Sequence, residues 1–97
     1  MQKYIMLMKL TEYGFKNIKE APGRIDAGIK TFEEMGGKLI GFCIVMGDYD
    51  YVAIGEAPSG KVAATFALSL GSLGNVKTTT LQAYTKEEFE EMVKNLP

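Results

Sequence analysis

Residues 46–58 constrain this chain more than any other stretch. Gly47, Asp48, Tyr49 and Asp50 form a polar break, and the apolar run Tyr51–Ala57 follows at once. A second apolar run, residues 38–46, precedes the break. Two strand-length runs separated by so few turn-forming residues predict a β-hairpin. Glycine and aspartate suit the turn because they tolerate unusual backbone angles and satisfy local backbone donors. A helical pattern flanks the hairpin on each side, and a further strand pattern lies beyond each helix, so few architectures remain.

The first strand pattern covers residues 3–10. It is apolar on both alternating rows, with Tyr4, Met6, Met8 and Leu10 on one and Ile5 and Leu7 on the other. A strand of this kind is covered on both faces. Thr11-Glu12-Tyr13-Gly14 breaks it, and residues 15–20 form a short helical turn. A helix over 22–35 opens at Pro22, whose fixed backbone angle suits a first turn. Ile25, Ile29 and Phe32 make its buried stripe, and Gly36-Gly37 ends it. A second helix runs over 58–73, with Val62, Phe66 and Leu70 spaced four apart. Gly71-Ser72-Leu73-Gly74 stops it. Residues 76–84 are a fourth strand, favoured by Thr78-Thr79-Thr80. Thr85-Lys86-Glu87-Glu88 is a capping box that opens a last helix over 86–96, carrying Phe89, Met92 and Val93.

The order is β-α-β-β-α-β with an extra C-terminal helix, an α+β chain. Two split βαβ units predict a ferredoxin-like fold: a four-stranded antiparallel sheet with helices on one face. Centring the hairpin on Asp48-Tyr49 sets Met46 opposite Tyr51, Val45 opposite Val52, Cys43 opposite Ile54, Phe42 opposite Gly55 and Gly41 opposite Glu56. Opposed residues share a face. One face then carries Phe42, Ile44, Met46, Tyr51, Ala53 and Gly55, and it meets the helices. The other carries Leu39, Gly41, Cys43, Val45, Val52, Ile54 and Glu56. That second face is aliphatic and bare, which marks an interaction surface. Two subunits stacking sheet on sheet, as a homodimer or a ring of such dimers, would cover it.

Bulk properties exclude several function classes. The 97 residues make one domain. A net charge of −1 lacks the basic footprint of a nucleic-acid binder. The single cysteine, Cys43, rules out an internal disulfide. Histidine is absent, which removes the usual general base and the commonest metal ligand. Neither a zinc site nor any cofactor is expected, and only a hard cation on Asp and Glu stays open. No apolar run approaches the roughly 18 residues of a membrane span. No signal-peptide pattern opens the chain. The expected location is the cytoplasm, with no membrane partner.

Several motifs in order resemble one family. Gly47-Asp48-Tyr49-Asp50, then Val52-Ala53-Ile54 and Glu56-Ala57-Pro58, are similar to the signature of the GYD domain family. Leu10-Thr11 before Gly14, followed by Ile18-Lys19, resembles that family's opening segment. The run Leu68-Ser69-Leu70-Gly71-Ser72-Leu73-Gly74-Asn75-Val76 resembles its second helix-to-strand junction. The resemblance covers nearly the whole chain and implies a ferredoxin-like fold related to the dimeric α+β barrel proteins. It implies no reaction. Wider relatives include small monooxygenases, ligand-sensing modules and haem-handling enzymes. None of their catalytic residues maps onto this chain by motif, and the haem binders use histidine.

The candidate site residues each have two readings. Asp48, Tyr49 and Asp50 form either the polar rim of a pocket or simply a tight turn. Glu56 is a lone carboxylate on an aliphatic row. Above the side-chain-free Gly41 it is a candidate proton acceptor in a pocket; at a wet strand end, or beside a lysine, it is a surface residue. Cys43 shares that face, with nothing nearby to activate its thiol, and reads first as a small hydrophobe. Tyr4, Tyr13 and Tyr84 line a pocket or pack in the core. Gly71–Asn75 offers an anion nest or a helix C-cap.

Three functions follow. The first is a homo-oligomeric binding or sensing module for a small apolar or aromatic ligand, with few polar groups in its cavity. The second is an enzyme independent of metal and histidine, performing proton transfer or oxygenation through Glu56 and a tyrosine. The third is an oligomerisation domain without a ligand.

Overall fold

The computed structural model describes residues 1–97. Strand β1 (Gln2–Leu10) leads into a short helix α1 (Glu12–Lys16), a 3-10 turn at Ile18–Glu20 and helix α2 (Ala21–Glu34). Strands β2 (Lys38–Ile44) and β3 (Tyr51–Ala57) form the hairpin. Helix α3 (Gly60–Ser72), strand β4 (Val76–Ala83) and helix α4 (Lys86–Lys94) follow. The strands make one antiparallel sheet in the order β2-β3-β1-β4. Each helical crossover therefore skips one strand, which is the ferredoxin-like arrangement.

Caps decide where the helices begin. Thr11 is extended, and its hydroxyl accepts a hydrogen bond from the Gly14 N–H at 3.0 Å. The helix thus starts at Glu12, and the expected break over 11–14 is its cap and first turn. Ser59 caps α3 in the same way, so that helix starts two residues after Pro58. The capping box at Thr85 and Glu88 forms as read from the sequence.

The hairpin differs from the expected register. The Val45 N–H donates to the Asp50 carbonyl at 2.8 Å, which closes a loop of Met46, Gly47, Asp48 and Tyr49. Gly47 carries the positive φ, +104°, that the turn requires. The turn is centred one residue earlier than expected, so Phe42 opposes Ala53, Cys43 opposes Val52 and Ile44 opposes Tyr51. A slip of two preserves the faces. A bulge then intervenes: Gly41 opposes Ile54, Leu39 opposes Gly55, and Ile40 is skipped. Leu39 is thereby moved to the helix face, contrary to the expectation. The extra residue lets Leu39 and Phe42, three apart, both face the helices.

Tyr51, Ala53, Gly55 and Phe42 do lie on the helix side. The core gathers Met6, Met8 and Leu10 of β1 with Tyr51 of β3 and Phe66 of α3. Ile44 and Met46 run past this cover and are exposed. Neither α2 nor α3 lies on the opposite face, where Ile5, Leu7, Val52, Ile54 and Leu81 form adjacent rows. Charged residues edge this patch: Glu56 with Lys3 and Lys38 in one row, Lys9 with Lys77 in another.

Helix α4 has no buried residue. Phe89, Met92 and Val93, spaced along one side, are all exposed. The radius of gyration is 14.8 Å, whereas a compact chain of this length has about 12.5 Å. Extents of 51 × 30 × 19 Å show the same elongation. No helix is long and apolar enough to cross a membrane.

Candidate functional site

Helix α2 rests mainly on β2 and helix α3 on β4, the two edges of the sheet. The helices meet where Phe32 stacks on Phe66, with ring centroids 4.9 Å apart, and where Gly28 faces Leu70. Over the central strands β1 and β3 they leave a gap. Small residues at Gly28, Ala53 and Gly55 keep it open. The result is a cavity of about 220 Å³. Its walls are the apolar residues of the core, with Met6, Phe42, Phe66 and Leu70 among them.

Few polar groups interrupt this lining. Arg24 of α2 is the only charged residue on the wall, and no carboxylate joins it. Arg24 Nη2, Asn75 Oδ1 and Thr80 Oγ1 are buried and have no hydrogen-bond partner. All three residues line the cavity. An unpaired buried polar group costs about 1–3 kcal/mol, and more when charged. Three such groups around one apolar space are a departure from the usual pairing of buried polar atoms.

The residues singled out from the sequence lie elsewhere. None of Cys43, Asp48, Tyr49, Asp50 and Glu56 lines the cavity. Asp48 is exposed and Tyr49 half-buried, both within the hairpin loop. Cys43 is exposed on the far face of the sheet. Glu56 is half-buried on that same far face, directly between Lys38 and Lys3. The open space expected beside it is absent, because Gly41 opposes Ile54 and not Glu56. No three of Cys, Asp and Glu gather to hold a metal ion. Of the tyrosines, Tyr4 lines the cavity, while Tyr13 and Tyr84 are exposed.

Asp50 has a specific position. Its Oδ2 accepts a hydrogen bond from the Leu10 N–H at 2.8 Å, and its own N–H donates to the Met8 carbonyl at 2.8 Å. The carboxylate continues the β1–β3 ladder beyond the last strand pair. On the other side of β1, the Thr11 hydroxyl donates to the Gly74 carbonyl at 2.6 Å, and the Thr11 N–H donates to the Asn75 carbonyl at 3.0 Å. Gly14 packs so closely on the Asn75 carbonyl that no Cβ fits there. Segments far apart in sequence thus join at one end of β1. Gly74, with φ of +81°, ends the turn after α3 as a C-cap glycine. Its carbonyl, an acceptor, faces Thr11, so this end of the segment is not an anion nest.

Arg24, Asn75 and Thr80 escaped the sequence reading, although signals existed. Arg24 lies three residues after buried Ala21 and four before Gly28, on the inward stripe of α2. A cation on a buried stripe is an anomaly. Thr80 alternates with Val76 and Thr78 on the inward row of β4. Asn75 read only as the last residue of Gly71–Asn75, a backbone anion nest or a helix C-cap, and not for its side chain.

The GYD domain family model matches residues 4–93. A protein of Thermus thermophilus named "glutamine synthetase and cystathionine beta-lyase binding protein" is 34% identical over 84 residues, covering 86% of this chain and 88% of that protein. The crystal structure of TTHA0845, also from Thermus thermophilus, superposes with a TM-score of 0.56. It shares 21% identity and covers 88% of this chain and 95% of its own, a likeness of fold.

Proposed function

This chain belongs to the GYD domain family, and from that premise we propose that it is a small binding module that holds a small apolar or aromatic ligand in the helix–sheet cavity. The observation that carries the reading is the cavity itself, about 220 Å³ walled almost wholly by apolar side chains. Small-molecule sites are concave, apolar and furnished with few polar groups. The relative named for binding other proteins supports a binding role of some kind. The module is one domain, acts in the cytoplasm, where its lone exposed thiol stays reduced, and needs neither metal nor cofactor.

Indole titrated against the methyl resonances of Met6 and Leu70 tests the ligand reading. Saturable shifts are expected, and Gly28→Leu, which fills the space beside Leu70, should abolish them. Shifts that fail to saturate, or that survive the filled cavity, would refute the reading.

The proposal includes self-association. Ile5, Leu7, Val52, Ile54 and Leu81 form an apolar patch uncovered by the two large helices, and α4 presents Phe89, Met92 and Val93 to solvent. Stacking of two sheets would bury the first surface and leave α4 free to grip a second chain. Light scattering should give a dimer or a multiple of it. A folded monomer at micromolar concentration would remove this part. A second reading, favoured by the uncovered stripe of α4, is a binding contact with another protein, as the name of the Thermus relative gives for that protein.

A further inference from the structure

We infer that the cavity ligand is a carboxylate, held by Arg24; this rests on the reading of the cavity as a ligand site and adds its chemical class. Arg24 is the one charged group on a wall of 25 residues, and no Asp or Glu is among them. It takes part in no salt bridge. Its Nη2 is shut off from solvent with nothing to donate to. Arg24 as a whole is half-buried, so its stem lies along the wall while Nη2 is the atom enclosed at the cavity. With no Asp or Glu on the wall, an anion brought in from outside would give this Nη2 its partner. A planar carboxylate fits best, because the fork of guanidinium N–H groups bonds both of its oxygens at once.

Topology places a second polar group at the same end. Gly28 lies against Leu70, and α3 ends at Ser72, two residues further on. Arg24, one turn of α2 before Gly28, therefore stands level with the segment that follows α3, where Asn75 holds its own unpartnered amide. The amide of Asn75 presents its N–H₂ to a carboxylate by a simple flip. Thr80 lies further along, opposite Met6 in the middle of the sheet. Its free hydroxyl suits a second, uncharged polar substituent on the ligand body.

Volume limits the size. An apolar cavity of about 150 Å³ takes benzene. In proportion, a cavity of about 220 Å³ takes about nine non-hydrogen atoms. Benzoate has that number, and octanoate has nearly the same. The class is thus a small aromatic or medium-chain aliphatic carboxylate, unlike a phosphate ester in its single flat anionic group.

The test compares benzoate and octanoate with their neutral isosteres benzamide and octanamide, by calorimetric titration of the full chain. A hydrogen bond to a charged group changes affinity by about tenfold or more. Each carboxylate should therefore bind about tenfold or more tightly than its amide. Arg24→Gln should erase the preference, while Arg24→Lys should keep part of it. Without ligand, Arg24→Gln should melt no lower than the wild type, since Arg24 has no salt bridge to lose. A Gln variant that melts lower or fails to fold would show Arg24 to be a structural residue and overturn the proposal. So would amides that match the carboxylates, or a preference that survives Arg24→Gln; in either case the cavity would still bind ligands and the broader reading would stand. If none of the four compounds binds, and indole does not either, both readings fall together.

Discussion

Thr11 and Asp50, at the end of β1, have hydrogen-bond partners across the sheet, whereas Arg24, Asn75 and Thr80, around the cavity, each hold a polar atom that has none. The same chain builds both regions, so the contrast is informative. At the β1 end, polar side chains satisfy backbone groups that no strand or helix can reach. Asp50 takes the Leu10 N–H, and Thr11 ties α1 to the Gly74-Asn75 turn. The three motifs that resemble the family's signature meet here. Their task in this chain is to hold the hairpin, the first helix and the second crossover against one strand. The cavity is the opposite case. Its polar atoms have no partner within the chain, and an unpaired buried polar group costs stability. In this molecule the strongest motif marks architecture, and of the three unpartnered polar residues at the cavity only Asn75 falls within a family-like motif.

Substitutions at four positions would break or sharpen this comparison. Gly14→Val should have the largest effect. Its side chain would strike the Asn75 carbonyl, a backbone group that cannot rotate away. A loss of about 3 kcal/mol is expected in denaturant unfolding, at the upper end for overpacking. A loss below about 1 kcal/mol would show that the junction is looser than its hydrogen bonds imply.

Asp50→Ala comes next. It leaves the Leu10 N–H without its acceptor, and a charged hydrogen bond of this kind contributes about 1.5–3 kcal/mol. Asp50→Asn keeps an acceptor oxygen and should lose less. Equal losses for the two variants would mean that the carboxylate acts through its charge and not through this bond.

Gly55→Val probes the cavity side. A Cβ here would meet Phe32 Cε2 at 3.1 Å and the Lys38 carbonyl at 3.2 Å. The sequence pairing set Phe42 opposite Gly55; the side chain that a Cβ there meets is Phe32 of α2. Overpacking should cost about 1–3 kcal/mol. An unchanged or higher melting temperature would show that Phe32 swings freely into the cavity, and that the space is more plastic than its shape suggests.

Glu56→Gln should have the smallest effect. Glu56 stands between Lys3 and Lys38 on the far face, and neither lysine approaches closely enough to form a salt bridge. The variant should stay within about 0.5 kcal/mol of the wild type, as for a surface residue. Its benzoate and octanoate affinities should not move. A loss of ligand affinity in this variant would place Glu56 in the binding site.

Much of the molecule follows from residues close together in the chain. The strand and helix order is local, because the alternation in residues 51–57, the stripe of Ile25, Ile29 and Phe32, and the capping box at Thr85 and Glu88 act within one or two turns of backbone. Those patterns, with the handful of ways two βαβ units fit one sheet, determined the fold and which hairpin face meets the helices. Pairing across the hairpin was not local. It depended on Asp50 serving β1 instead of the turn, and on a bulge at Ile40 that satisfies two core residues three apart. The cavity was still less legible. Its existence depends on how far α2 and α3 spread over the outer strands. Its chemistry depends on Arg24, Asn75 and Thr80, which belong to three elements and share no spacing. Sequence periodicity reports which side of an element is apolar. Whether two apolar sides close fully or leave a space, and which polar atoms are stranded at that space, is decided only when the whole sheet and both helices are in place.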